Sequence, residues 1–387
     1  MNNYLEGGKQ QMLHLGYLDS LRALAAIYVV LYHAMLHFRI PVNSLVYRLT
    51  FVIRHGHNAV NFFIVLSGFC LMLPILHNDG VLRGGTWTFL KKRARRILPP
   101  YYIAMLLSLF FIYTLIGSKT GTLWDKSLPV TARDIFYHII MIQDIAAHNI
   151  NYVFWSISVE WRIYFLFPLL VVWWRHWGAG KVTIMVLVLS VLIWYGLLQT
   201  SLNMTPSGIN PHYLGLFTLG MFAAHVAFAP EEAMVLLRSR IGWKTFFIIT
   251  AVNMALVGSG HMLMQKKFLP NYTGIEDLAI GLYITWFLIM LETGKLSLIH
   301  RLLSWKPLVF VGGFAYSIYL IHAPLLQILW QYVLQPLNLG LVPGLIFLIT
   351  VGTSFCLGAS YLFFLIAEQP FITKSKTAAV TLVKSSS

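Results

Sequence analysis

Stretches of about 20 apolar residues, each closed by a short polar gap, recur along the chain, and a helix of that length is what a hydrocarbon core of roughly 30 Å requires. The pattern predicts ten helices, near 18–38, 57–76, 97–116, 153–174, 182–200, 211–229, 243–258, 275–291, 307–333 and 343–367. The seventh is short for a span. The expected fold is an all-α integral membrane protein, a bundle of about ten transmembrane helices over residues 18–370. A polar segment, 1–17, precedes it. The tail 371–387, with ITKSKTAAVTLVKSSS after Pro370, is too small and polar to bury anything and is expected to be disordered.

Composition sharpens this picture. Of 387 residues, 58% are hydrophobic and only 11% are charged, with a mean hydropathy of +0.71. A net charge of +15 would suggest nucleic acid in a soluble protein, but here Lys and Arg gather in alternate loops. With the N-terminus inside, the inner segments carry 18 basic residues and the outer loops 8, so both termini are expected in the cytoplasm. The expected location is the cytoplasmic (inner) membrane, multi-pass, with lipid rather than nucleic acid around the chain. Cys70 and Cys356 both fall in apolar runs, which leaves no disulfide framework. No signal-peptide exit follows the first span, which is expected to stay in the mature protein. In the longest outer loop, Thr131 and Asp134 fit a capping box that opens an amphipathic helix at the outer surface.

Ionisable groups inside the spans carry the candidate chemistry, because burying one in lipid costs about 2.5–3.5 kcal/mol on insertion scales. Arg22 and His33 share the first helix, ten residues intervening, which sets them about 16 Å apart along its axis. Glu160 enters from the outer end of the fourth span to a depth comparable with His33, and His322 reaches a similar layer. Ser156, Glu160 and Tyr164 share one helix face, while Arg162 points the other way. His33 and His37 stand one turn apart as metal ligands can, but no third ligand accompanies them, so no metal is expected. The basic run RGGTWTFLKKRARRILPPYY sets topology, and its Arg93 and Arg96, one turn apart, are also placed to hold phosphates. Intramembrane His, Glu and Arg also build proton-coupled transporters, and polytopic lipid-linked glycosyltransferases also work on envelope sugars. Against the first, no paired interrupted helices divide the chain into two matching halves. Against the second, the outer loops hold few acids: Asp125, Asp134, Asp144, Glu276 and Asp277.

Five segments in order, LDSLRALAAIYVVLYHA, NFFIVLSGFCLML, FLKKRARRILPPYY, FWSISVEWRIYFLFPLL and FAYSIYLIHAPLL, resemble the membrane-bound acyltransferase family 3, whose members O-acylate envelope polysaccharides and related acceptors. Arg22 and His33 match its basic-x10-His signature, Arg93 and Arg96 its paired arginines, and Glu160 its W-S-x-x-x-E acid. Tyr316, Ser317, Tyr319 and His322 match its late S-x-Y-L-x-H segment. Asn61 departs from it, standing where the family commonly has an acid. The resemblance implies an acyltransferase with acyl-coenzyme A as co-substrate and no bound cofactor, the acceptor being a saccharide or lipid-linked saccharide. Longer members carry a secreted hydrolase-like domain, so a separate outer-side partner protein is one possible route for completing the transfer.

The expected mechanism has Arg93 and Arg96 on the donor phosphates and Arg22 deeper along it. His33 acts as general base on an acceptor hydroxyl. Glu160 orients that imidazole, and Ser156, Tyr316, Ser317 and His322 line the substrates' path.

Overall fold

A computed structural model describes residues 16–146, 150–197, 200, 208–265 and 273–372; the expected N-terminal segment up to residue 15 and the tail beyond 372 lie outside them. Every regular element among the described residues is helical. The main helices are α1 (Gly16–Met35), α2 (Asn58–Leu76), α3 (Gly85–Ile116), α4 (Ala132–Ile139), α5 (Trp155–Trp177), α6 (Ala179–Leu197), α7 (His212–Phe228), α8 (Glu232–Arg240), α9 (Trp243–Gln265), α10 (Thr273–Glu292), α11 (Lys306–Gly312), α12 (Ala315–Leu337) and α13 (Leu341–Phe371).

Among the described residues, eight of these are long and apolar enough to cross a membrane: α1, α2, α3, α5, α6, α10, α12 and α13. The pair α7 and α8, bent by 101°, passes the same test together, and the apolar part of α9, Trp243–Leu256, is shorter. Run ends aside, the described part of each expected run is helical apart from a break in the ninth.

Two helices cross at backbone distance where α2 meets α7. A Cβ on Gly220 would lie 1.8 Å from the Val65 carbonyl oxygen, and one on Gly68 would lie 2.0 Å from that of Phe217. Small residues at a crossing let lipid-embedded helices gain close packing without a hydrophobic driving force. α12 is the most buried of the eight spans and α6 the least, so α12 stands near the centre with α1, α3 and α13 beside it.

Three expectations change. The ninth span, expected over 307–333, is divided: α11 ends at Gly312 and the chain restarts at Ala315. The cause is contact with α1, since a Cβ on Gly312 would lie 1.9 Å from the Asp19 carbonyl oxygen. The third span, expected to begin at 97, extends back to Gly85, so the basic run is part of the helix. Phe89 and Ile97 are buried and Lys91, Lys92 and Arg95 exposed, and that amphipathic pattern carries the helix through Pro99 and Pro100.

The third change concerns acids assigned to outer loops. Asp134 and Asp144 are buried, and Asp277 lies inside α10, where its carboxylate accepts from Asn61 Nδ2 at 2.6 Å and pairs with His212 Nε2 at 3.0 Å. The carboxylate that Asn61 does not bring thus arrives from the facing helix. α4 has the expected capping box, with Thr131 Oγ1 accepting from the Asp134 amide at 3.2 Å. It buries Asp134 and His138 and exposes Phe136 and Ile139, the orientation of a helix whose apolar side meets lipid.

Candidate active site

A cavity of about 510 Å³ is walled by α1, α2, α3, α5 and α12, with Gly312 and Glu368 completing it. Along α2 its lining runs from Val60 and Phe63 at one end to His77 at the other, which by helical rise is about 25 Å. Arg22, Arg93, Arg96, Ser156, Glu160, Tyr164 and Tyr316 all line it, and so does Arg83. Four arginines therefore face three carboxylates, Asp19, Glu160 and Glu368.

Each polar wall residue is fixed by its neighbours. Arg22 sits one turn from Asp19 and donates to its Oδ1 at 2.5 Å, while its other nitrogen donates to Cys70 Sγ at 3.0 Å. Arg93 lies 5.7 Å from the Phe89 ring, and its buried Nε has no hydrogen-bond partner among the described residues. Such a donor is costly to leave bare and is suited to an anion. Glu160 accepts from the Tyr164 hydroxyl, which in turn lies 3.1 Å from Ser67 Oγ. Arg162, on the opposite face, pairs with Asp144. Tyr316 donates to the Ile97 carbonyl at 3.2 Å, tying α12 to α3.

At the Phe63 end the wall is Tyr319, its ring 6.0 Å from that of Phe63. Its hydroxyl donates to the Val153 carbonyl at 2.9 Å and lies 2.6 Å from Ser156 Oγ. His322 is next, 6.0 Å from the Tyr319 ring, and beyond it is His33.

His33 Nδ1 and His322 Nε2 are 2.8 Å apart, their rings stacked at 5.0 Å. His322 Nδ1 lies 2.9 Å from the Ile318 carbonyl, which can only accept, so in the neutral ring that nitrogen carries the proton. His322 Nε2 then accepts, His33 Nδ1 donates, and His33 Nε2 is left with a free lone pair. The hydrogen-bond chain thus assigns the tautomer of the neutral His33 ring.

This corrects the expected pairing of Glu160 with His33. No contact joins the two among the described residues: His33 takes its partner from α12, while Glu160 faces the arginine cavity. Ser317 does not face the acceptor path either; fully buried, it donates to Glu368 Oε2 at 2.6 Å. Glu368 escaped the sequence reading because the last span was ended at residue 367, one position short of a carboxylate that would otherwise have stood out in an apolar run.

The sequence model of the acyltransferase-domain family matches residues 15–364. The chain belongs to this acyltransferase family. Among curated proteins it is similar to O-acetyltransferase OatA of Staphylococcus aureus strains NCTC 8325 / PS 47, COL and MRSA252, in each case 25% identical over 356 residues, which is 86% of this chain and 53% of the relative. The chain therefore spans about half the length of the curated relatives it matches. No solved structure matches it. The matched residues of this chain take in the His33–His322 pair and the cavity lining apart from Glu368.

Proposed function

We propose that this protein is a membrane O-acyltransferase that moves an acyl group, acetyl foremost, from cytoplasmic acyl-coenzyme A to a hydroxyl of an envelope saccharide on the outer side. Support comes from family membership, from relatives named O-acetyltransferases, and from the arginine-lined cavity ending at a wall behind which His33 stands. The observation that carries it is the His33–His322 pair with its tautomer pinned by Ile318.

The donor's phosphates meet Arg93 and Arg96 as charge-assisted partners, and Arg22 meets polar groups further along. The thioester reaches the Ser156–Tyr319 end. From the other side the acceptor hydroxyl gives its proton to His33 Nε2 as its oxygen bonds to the carbonyl carbon. The carbon–sulfur bond then breaks, and the coenzyme A thiolate leaves with the proton that His33 Nε2 took from the acceptor, which restores the neutral ring. His322 holds the His33 ring and disperses its charge, the orienting role a third group plays in hydrolases. Glu160, kept among arginines, is a charge partner of the donor site rather than of the base.

The test is sidedness. In sealed proteoliposomes of one orientation, labelled acetyl-coenzyme A on the arginine side should label an acceptor supplied only on the other side. Label transfer only when both substrates share a compartment would contradict the reading.

A further inference from the structure

Outside the cavity lining, two further rings follow His33 in line. The Tyr152 ring packs edge-on against His33 at 5.0 Å, and the Trp124 ring edge-on against Tyr152 at 5.8 Å. Tyr152 is 9% exposed and Trp124 only 1%. Yet among the described residues the Tyr152 hydroxyl and the Trp124 indole N–H have no hydrogen-bond partner, and neither does Ser127 Oγ, three residues on. Buried polar side chains are nearly always satisfied, so a cluster of bare donors beside a base needs a reason.

The segment that carries them is built, not loose. Thr122 Oγ1 donates to Gln327 Oε1 at 2.7 Å, and Gln327 Nε2 donates back to Thr120 Oγ1 at 3.0 Å, fastening the loop to α12. The Asp125 carboxylate accepts from the Thr120 and Gly121 amides, both at 2.8 Å, and is thereby occupied within the loop. Tyr152 is held between Asn151, whose Nδ2 donates to the Leu320 carbonyl at 3.1 Å, and Val153, whose carbonyl accepts from Tyr319. Two aromatic side chains with hydroxyl and indole donors, beside a carboxylate already occupied by backbone amides and with Lys126 turned to the exposed side of the loop, suit a neutral polyhydroxylated ring.

We propose that Trp124 and Tyr152 form the acceptor subsite of the acyltransferase, binding a neutral sugar ring so that one hydroxyl meets His33 Nε2. The assignment rests on the acyl-transfer reading above and gives it an acceptor class. A site that hydrogen-bonds a substrate hydroxyl discriminates sharply against compounds lacking it.

The experiment uses wild-type protein, Trp124→Phe and Tyr152→Phe in proteoliposomes, with labelled acetyl-coenzyme A and cellotetraose, maltotetraose or chitotetraose as acceptor. Each variant should raise the KM for the tetrasaccharide at least tenfold while the donor KM moves less than twofold. An unchanged acceptor KM overturns the subsite, and so does an equal rise in both KM values, which is the signature of a structural role. If wild-type protein turns over the donor with water but transfers to none of the three tetrasaccharides, the neutral-sugar assignment falls while acyl transfer stands. A wild-type protein that consumes no donor at all defeats the parent reading instead. Should Trp124→Phe fail to fold, Tyr152→Phe, which loses one oxygen and no ring, carries the same comparison.

Discussion

The two sides of Tyr319 are chemically unlike. Towards Phe63 lies a cavity of arginines and carboxylates; towards His33 lie imidazoles, Tyr152 and Trp124, with Asp125 occupied in its own loop. The first is suited to a charged ligand and the second to neutral hydroxyls, with about two hydrogen-bonded side chains, Tyr319 and Ser156, between them. On the proposed acyl-transfer reading the contrast separates donor charge from proton transfer, so damage on one side should show in one substrate's kinetics and not in the other's.

The largest effect should come from the imidazole pair. A positioned general base contributes about 10²–10⁴-fold, so His33→Ala should lower kcat by about 10³ and leave the donor KM near wild type. His322→Ala, which frees the His33 ring without removing it, should cost about 10². Steady-state rates in proteoliposomes check both, and equal losses in donor affinity would erase the contrast.

On the other side, Arg93→Gln and Arg96→Gln each remove a charge-assisted bond of about 1.5–3 kcal/mol, which is about 10- to 100-fold in the donor KM. Acceptor KM should stay put. A shift confined to the acceptor would place the phosphate site elsewhere.

Gly220→Ala serves as the control that should not distinguish the sides. Its Cβ would meet the Val65 carbonyl at 1.8 Å and push α7 off α2, costing about 1–3 kcal/mol. Lower thermal stability in detergent, with both KM values changing together, is the expected result; an unshifted midpoint would mean the crossing relaxes freely.

The smallest effect is local and depends on pH. His138 Nδ1 lies 2.7 Å from the Asp134 carbonyl, and its Nε2 accepts from the Ile150 amide at 3.1 Å. Burial holds its pKa down at about 4 from an ordinary 6.5. Because the detached ring binds a proton below 6.5 and the packed ring does not, this anchor is fully stable above 6.5 and weakens as pH falls towards 4. Hydrogen exchange at Ile150, corrected for intrinsic rate, should quicken between pH 7 and pH 5. The acceptor KM, through neighbouring Tyr152, should rise a few-fold over the same range; protection that is flat with pH would detach His138 from the loop.

What the sequence disclosed follows from what is local. Span positions, the common face of Ser156, Glu160 and Tyr164, and the capping box of Thr131 depend on residues a few positions apart, and the structure has them. Depth was legible too, since it is counted along one helix, and it placed His33 and His322 in the same layer. Azimuth was not. Whether His33 meets Glu160 or His322 depends on how helices 289 residues apart in sequence are turned toward each other. Asn61 met Asp277 for the same reason, across 216 residues. The division after Gly312 depended on the approach of α1, which no hydropathy pattern contains.

The most direct measurement loads proteoliposomes with labelled acetyl-coenzyme A, removes the excess and chases with acceptor, for wild-type protein and His33→Ala side by side. The account predicts equal retention of donor by both and acceptor-triggered transfer by wild type alone. Prompt transfer by His33→Ala, or its failure to hold the donor, would contradict the division of labour between the arginine cavity and the imidazole beyond it.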